Sequence, residues 1–283
     1  MRRMRTSWPV PLICSALLRC TSFEPGTDEL SVDLDEPTDQ VQAELEPDGL
    51  DWSCLVQEPA EEPEDLVRAP DSNRLVASLR LLSLRTGVAV PGTVVRACAQ
   101  ADVNCTAPLS EFLPAAEGGW VDVPLYPGFN GYFEVRSDTA LPSLVFLARP
   151  LSVETSVDTV PFGLVETDIL PSLSAATGSQ QDPMLGLVWL RAFDCQGLPA
   201  SGVSFNIDRA AASPYYFIGD LPSSTAEATG GSGLGGFVNV QPGIAVVGAA
   251  VNDTGRALGS SRTLLVRRGW LSGVRIVPAA FPH

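Results

Sequence analysis

The sequence contains no lysine, and its single histidine, His283, is the last residue. Without lysine the chain cannot form a Schiff base or a P-loop contact to phosphate. Because a terminal residue is seldom held in place, we also expect no Ser–His–Asp triad, Cys–His dyad or histidine-ligated zinc site. We therefore predict no catalytic residue, no metal site and no cofactor from these residue types.

Basic charge is also scarce, and the acidic charge is concentrated in one segment. The formal net charge is -15, with 33 acidic residues against 18 arginines. Residues 22–73 hold 17 of those 33 acidic residues and one basic residue, Arg68, which makes -16. Residues 74–283 are nearly neutral, with 13 arginines against 16 acidic residues. This balance argues against nucleic acid as a partner, because phosphate binding needs a basic surface.

The N-terminus resembles an export signal. Arg2, Arg3 and Arg5 precede a short apolar run over residues 8–18, so residues 1–20 are interpreted as a signal segment. Cys20 follows Leu-Leu-Arg, which resembles a bacterial lipobox except for the arginine. Two outcomes stay open: an outer-membrane lipoprotein acylated at Cys20, or a secreted protein. In either case, contact with a membrane is expected only through an N-terminal lipid.

Residues 21–73 are predicted to form a disordered, acidic, proline-rich tether. Such a segment buries too little apolar surface to offset the entropy of ordering it, and its like charges keep it extended. An apolar island that contains Trp52 and Cys54 interrupts it at residues 50–56. We expect this island to dock on the folded part of the chain.

The remaining residues contain an internal repeat of short strands and turns. Hydrophobic side chains alternate with polar ones, for example over residues 203–208 and 132–136, which is typical of half-buried strands. By the same alternation, Glu134 and Asp208 are placed on polar strand faces. Two blocks recur in the same order, at residues 76–95 and 118–123 and again at 188–205 and 235–240. The pattern predicts an all-β protein with two tandem antiparallel β-sandwich domains, over residues 74–178 and 183–280.

The second copy resembles the carboxypeptidase regulatory-like (transthyretin-like) β-sandwich family. Residues 194–203, Asp-Cys-Gln-Gly-Leu-Pro-Ala-Ser-Gly-Val, are similar to the turn that joins the first two strands of that family. Residues 236–243 resemble its later strand and Pro-Gly turn. The first copy matches less well, since Arg85-Thr86-Gly87 lacks the aspartate of the turn. The resemblance implies a stabilising or adhesive module without chemistry of its own, in an envelope protein of the deltaproteobacterial type.

Four cysteines follow the signal segment, and in an exported protein they predict disulfide bonds. Cys98 and Cys105 flank a short polar loop, which favours a bond between them. Cys54 then remains for Cys195, a pairing that would fasten residues 50–56 to the second domain. The alternative is that Cys54 or Cys195 is a free buried thiol.

Other candidate sites have plain structural explanations. Gly231–Gly236 fits G-x-G-x-x-G, but it leads into a strand and not into a helix that could hold a pyrophosphate. Residues 102–104 and 252–255 offer oxygens for calcium, but they are also good turns. The aromatic run Tyr215, Tyr216 and Phe217 could fill the core or form an exposed binding patch.

The sequence therefore predicts a non-catalytic, exported envelope or extracellular protein with a binding, adhesive or structural role. Its partner would be an envelope protein or a polysaccharide. One alternative is a glycan-active enzyme that uses a pair of carboxylates brought together by folding. The carboxylates available to it include Asp122, Glu134, Asp194, Asp208, Asp220 and Glu227. A second alternative is a subunit of a larger cell-surface complex, docking through residues 215–217.

Overall fold

The computed structural model describes residues 49–56, 75–126, 128–148, 162–209 and 214–279. The predicted signal segment, Cys20 and most of the predicted tether lie outside the described residues. Within the described residues, no helix is both long and apolar enough to span a bilayer.

Strands dominate the described structure. The first half contains β1 (Leu75–Ser83), β2 (Val94–Ala99), β3 (Leu113–Pro114), β4 (Trp120–Leu125), β5 (Gly131–Arg136), β6 (Ser143–Phe146), β7 (Phe162–Leu164) and the helix α1 (Leu170–Thr177). The second half contains β8 (Gly186–Ala192), β9 (Val203–Ile207), β10 (Tyr215–Ile218), β11 (Leu221–Ser223), β12 (Leu234–Val240), β13 (Gly243–Val251), β14 (Arg256–Ala257), β15 (Arg262–Val266) and β16 (Leu271–Ile276). Short 3₁₀ helices lie at Ser53–Val56, Glu117–Gly119 and Thr167–Ile169.

Both halves contribute to one nine-stranded sheet. Its order is β11-β10-β12-β8-β16-β6-β5-β2-β3. The halves meet where β16 lies between β6 and β8 and runs parallel to both of them. Leu271 at the start of β16 is the register partner of Ser143 on one side and of Leu187 on the other.

Two smaller sheets pack on opposite faces of this central sheet. One is β4-β1-β7, and the other is built on β13, with β9 on one side and β14 and β15 on the other. Phe133 on β5 belongs to the core beneath the first small sheet, whereas its neighbour Tyr132 belongs to the core beneath the second. Since successive side chains of a strand point to opposite faces, the central sheet is covered on both.

The helix covers a third apolar cluster on the central sheet. Leu173 of α1 packs with Leu187 and Trp189 of β8. Pro171 occupies the first turn of the helix, where its missing N–H removes no hydrogen bond. The helix ends at Gly178, which adopts a left-handed conformation.

The predicted all-β class is confirmed by this strand content. Antiparallel pairing prevails, but β1–β7, β6–β16 and β8–β16 are parallel. The alternation of side chains could not predict this, because it indicates which face is buried and not which strand is the neighbour. The boundaries proposed for two separate domains, 74–178 and 183–280, stay a prediction.

Candidate functional site

The most concentrated group of charged side chains surrounds Glu134 on β5, whose side chain is 0% exposed. Arg96, its cross-strand partner on β2, donates from Nη2 to Oε2 at 3.0 Å. Arg267, in the loop between β15 and β16, donates from Nη1 to the same oxygen at 3.1 Å. Arg136, two residues along β5, donates from Nε to Oε1 at 2.9 Å. We call these three arginines the arginine cluster.

Electrostatics keep the Glu134 carboxyl ionised. Burial raises its pKa, but hydrogen bonds from Arg96, Arg267 and Arg136 outweigh burial and leave the pKa below its ordinary value. A general acid needs the opposite shift, so that it still carries a proton near neutral pH. Glu134 thus accepts hydrogen bonds from three arginines, and its environment does not suit it to proton transfer.

Arg267, in the second half of the chain, also contacts the loop between Cys98 and Cys105. Its Nη2 donates to the carbonyl of Val103 at 2.8 Å and to the Tyr132 hydroxyl at 2.7 Å. That hydroxyl in turn donates to the carbonyl of Asp102 at 2.5 Å. Burial is the largest influence on the Tyr132 hydroxyl, and it raises the pKa. The cluster therefore ties strands β2 and β5 to the loop that precedes β16.

Each guanidinium group of the arginine cluster lies over at least one aromatic ring. Arg136 lies 5.4 Å from the Phe112 ring and 5.3 Å from the Trp270 ring. Arg96 lies over Phe112 at 4.6 Å, and Arg267 lies over Trp270 at 5.2 Å. Such cation–π contacts fix the planes of the guanidinium groups and lower the repulsion between them.

Disulfide bonds are present in the structure. Cys98 is bonded to Cys105, and Cys54 is bonded to Cys195. These are the two pairings proposed from the spacing of the cysteines. The sulfurs of Cys98 and Cys105 lie within 4.8 Å of a Glu134 oxygen. Because the two sulfurs are bonded to each other and the carboxylate is bound by arginines, this group is not a metal site.

Residues 50–56, here called the docking segment, lie against the second half of the chain. Besides the disulfide, the Cys195 amide donates to the carbonyl of Asp51 at 2.9 Å. The Asp51 amide donates to the buried carboxylate of Asp194 at 3.1 Å. Trp52 and Leu55 pack against the core beneath the second small sheet. Backbone pairing, a covalent bond and apolar burial therefore act together on this short segment.

The proposed binding patch of Tyr215, Tyr216 and Phe217 needs correction. Tyr215 and Tyr216 are 0% and 1% exposed, and Phe217 is also buried. The Tyr216 hydroxyl accepts a hydrogen bond from the Phe205 amide, and the Trp189 ring packs against Tyr215 and Phe217. These side chains fill the core because β10 lies inside the central sheet, between β11 and β12.

The other carboxylates are engaged in local structure. Asp194 accepts from the amides of Gln196 and Leu198. Asp208 accepts from the Val246 amide, and Asp122 accepts from the Ser78 hydroxyl. Among the described residues, neither Asp220 nor Glu227 takes part in an ion pair.

The two proposed calcium loops also have structural roles. Asp102 accepts hydrogen bonds from Thr106 and from the Ala107 amide, and backbone hydrogen bonds from these residues lower its pKa. In residues 252–255, the amides of Thr254 and Gly255 donate to the carbonyl of Val251. Both segments are hydrogen-bonded turns.

Sequence reasoning missed the arginine cluster. It placed Glu134 on a polar strand face, whereas the structure buries this side chain and pairs it with Arg267 from the loop between β15 and β16. The one available signal is Glu134 opposite Arg96, since oppositely charged residues facing each other on neighbouring strands are typical of cross-strand ion pairs. The contribution of Arg267, which is 133 residues away from Glu134, has no local signature.

Comparisons with known proteins leave the chain without an assigned family. No protein-family model and no curated protein matches it. The Bacillus anthracis TIE protein is 9% identical at a TM-score of 0.23, over 72% of this chain and 34% of that one. A streptococcal ancillary pilin is 15% identical at a TM-score of 0.22, over 72% of this chain and 68% of that one.

The shaft pilin SpaA of Lactobacillus rhamnosus GG is 8% identical at a TM-score of 0.23, over 73% of this chain and 98% of that one. The chain spans about a third of the length of the TIE protein. At identities and TM-scores this low, the likenesses carry no argument about function.

Proposed function

We propose that the chain is a non-catalytic, exported β-sandwich protein with a structural or binding role in the cell envelope or outside the cell. The observation that carries the proposal is the state of Glu134. The most densely charged carboxylate site among the described residues is a buried acceptor of hydrogen bonds from three arginines, which lower the pKa of its carboxyl. Such a site stabilises a fold or receives a ligand, whereas acid–base catalysis needs a carboxyl that can exchange its proton.

The two disulfides support the exported location. Disulfide bonds persist in oxidising compartments and are rare in the cytosol of most organisms. Fractionation of cells that produce the full chain tests this proposal. We expect the protein in the envelope or the medium, with Cys54, Cys98, Cys105 and Cys195 protected from thiol alkylation until a reductant is added. Recovery in the cytoplasm with four free thiols would contradict export.

Attachment through Cys20 is a finer proposal, which rests on the lipobox-like sequence. Labelling with radioactive palmitate should mark the wild type and the Cys14→Ser variant but not Cys20→Ser. Cys14 is the matched control because it is the other cysteine in the signal segment. Equal labelling of all three proteins would contradict acylation at Cys20.

A role as a carboxypeptidase regulatory-like repeat module, with an envelope protein or a polysaccharide as partner, is also proposed. The repeated strand and turn segments support it. If the chain is a subunit of a larger surface complex, its contacts must come from residues other than the buried Tyr215–Phe217 run. Cross-linking of intact envelopes followed by purification of the chain would identify such neighbours, and recovery of the chain alone would count against a complex.

A further inference from the structure

The arginine cluster carries more positive charge than the described residues neutralise. Three guanidinium groups surround one carboxylate, and Glu134 is the one described carboxylate within ion-pair distance of any of them. The group therefore has a local charge of about +2, counting one charge per ionised side chain. This surplus is found in a chain whose residues 74–283 sum to -3.

Hydrogen-bond donors are also in surplus. Each guanidinium offers five N–H groups and no acceptor. Arg96 Nε is buried and has no partner among the described residues. Arg136 uses Nε and Nη2 on Glu134, and its Nη1 has no described partner. A cluster with spare donors and spare charge is suited to an additional anionic acceptor.

Arg136 is the member of the cluster that a ligand can reach. Its side chain is 50% exposed, whereas those of Arg96 and Arg267 are 18% and 17% exposed. Glu134 holds one edge of its guanidinium, and Phe112 and Trp270 lie beside the group. Because the plane is already fixed, binding loses little side-chain entropy.

The neighbouring sheet edge disfavours an extended peptide as the ligand. The strand β3, which follows Phe112, is the end strand of the central sheet and consists of Leu113 and Pro114. Proline has no N–H to donate, and so short a strand offers little backbone for an added strand to pair with. Recognition beside Arg136 then depends on side-chain donors and not on backbone pairing, which suits the carboxylate of an acidic sugar.

We propose that Arg136, supported by Arg96 and flanked by Phe112 and Trp270, binds the carboxylate of an acidic, uronate-containing polysaccharide. This inference rests on the proposed binding role and names the ligand class. The guanidinium end of Arg136 that does not contact Glu134 donates to the carboxylate oxygens. The local surplus of positive charge opposes the net negative charge of the chain and attracts the ligand.

Calorimetric titration of the full chain at low salt tests the proposal, with oligogalacturonate as the probe. We expect wild-type binding, no binding of the methyl-esterified oligomer, and at least about a tenfold loss of affinity for Arg136→Gln. Arg85→Gln is the matched control, because it removes the same charge from a side chain that is 57% exposed and distant in sequence. It should bind like the wild type.

The Arg136→Lys variant distinguishes the contribution of positive charge to binding from that of the planar guanidinium group. It keeps the positive charge but not the planar fork, so its affinity should lie between those of the wild type and Arg136→Gln. It also serves as the variant to measure if Arg136→Gln fails to fold, as judged by thermal melting.

Three results would overturn the assignment: no wild-type binding, equal binding by Arg136→Gln, or poly-glutamate binding as tightly as oligogalacturonate. The last would point to an acidic peptide instead. Each of these leaves the export experiments unaffected, so failure of the glycan site is distinguishable from failure of the proposed function.

Discussion

Two corresponding turns of the repeat, one that begins at Ser83 and one that begins at Asp194, each bind a segment that is distant in sequence, but through different interactions. In the first half, the Ser83 amide donates to the Val88 carbonyl, and the Ser83 hydroxyl accepts from the Thr86 amide. In the second half, the Asp194 amide donates to the Leu198 carbonyl, and the Asp194 carboxylate accepts from two amides within its turn. The serine thus stands where the other turn has an aspartate.

Each turn also holds a segment from elsewhere in the chain. Ser83 donates to Glu166 at 2.7 Å, and Arg85 lies 3.1 Å from Asp168, so the first turn holds residues 166–168 through a buried hydroxyl and an exposed ion pair. The second turn holds the docking segment through the buried Asp194 and through Cys195. A buried charged acceptor and a covalent bond should be worth several times as much as exposed ion pairs. The two turns of the repeat therefore form one strong attachment and one weak one.

Breaking the covalent attachment should have the largest effect. The bond between Cys54 and Cys195 spans 141 residues, whereas that between Cys98 and Cys105 spans 7. Loop-closure entropy predicts losses of about 5 and about 2 kcal/mol for the two bonds. Urea unfolding of Cys54→Ser/Cys195→Ser and of Cys98→Ser/Cys105→Ser measures both. Equal losses would show that native contacts of the docking segment, and not chain entropy, set the value of the longer bond.

Glu134 is the buried counterpart of Glu166, because both form ion pairs with arginine but only Glu134 is fully buried. Replacing Glu134 with Gln should cost about 3 kcal/mol, since three arginines lose their counter-charge. Urea unfolding at neutral pH checks this value, with Glu166→Gln as the matched control, which should cost about 1 kcal/mol or less.

The wild type and Glu134→Gln should also differ in the pH dependence of their stability. The folded pKa of Glu134 lies below its unfolded value, so its stabilisation is present above the unfolded pKa of about 4.3 and is lost as pH falls through the folded pKa. Unfolding of the wild type as a function of pH should therefore be steeper in acid than that of Glu134→Gln. Parallel curves would contradict the lowered pKa.

Replacing Asp194 with Ala should cause the next largest loss in the free energy of unfolding. Two amides of its own turn and the amide of Asp51 would lose a buried acceptor, at a cost of about 2–3 kcal/mol. Asp194→Asn keeps one acceptor oxygen and should cost about half as much. Hydrogen exchange at Asp51, Gln196 and Leu198 should quicken in the alanine variant. Unchanged exchange at Asp51 would show that the disulfide alone holds the docking segment.

These attachments also show how far the sequence could predict the structure. The strands of the repeat and the pairing of Cys54 with Cys195 follow from short-range alternation and from the count of cysteines. The burial of Glu134 and of Tyr215–Phe217 depends on neighbours far away in sequence, such as the loop at residues 267–270. The parallel pairing of β16 with β6 and β8 also brings together strands from distant parts of the sequence. The alternation of side chains along a strand does not specify which strands will pair.

The smallest effect on stability is expected for the exposed ion pair of the first turn. Arg85 and Asp168 have side chains that are 57% and 55% exposed, so water and salt screen their ion pair. Arg85→Gln should change the free energy of unfolding by about 0.5 kcal/mol or less, and high salt should reduce even that difference. If the loss instead reached that of Asp194→Ala, side-chain exposure would not explain why one turn holds its segment more strongly. The first turn would then owe its strength to the whole network of Ser83, Arg85 and Glu166, which a double-mutant cycle between Ser83→Ala and Arg85→Gln would detect as a coupling energy.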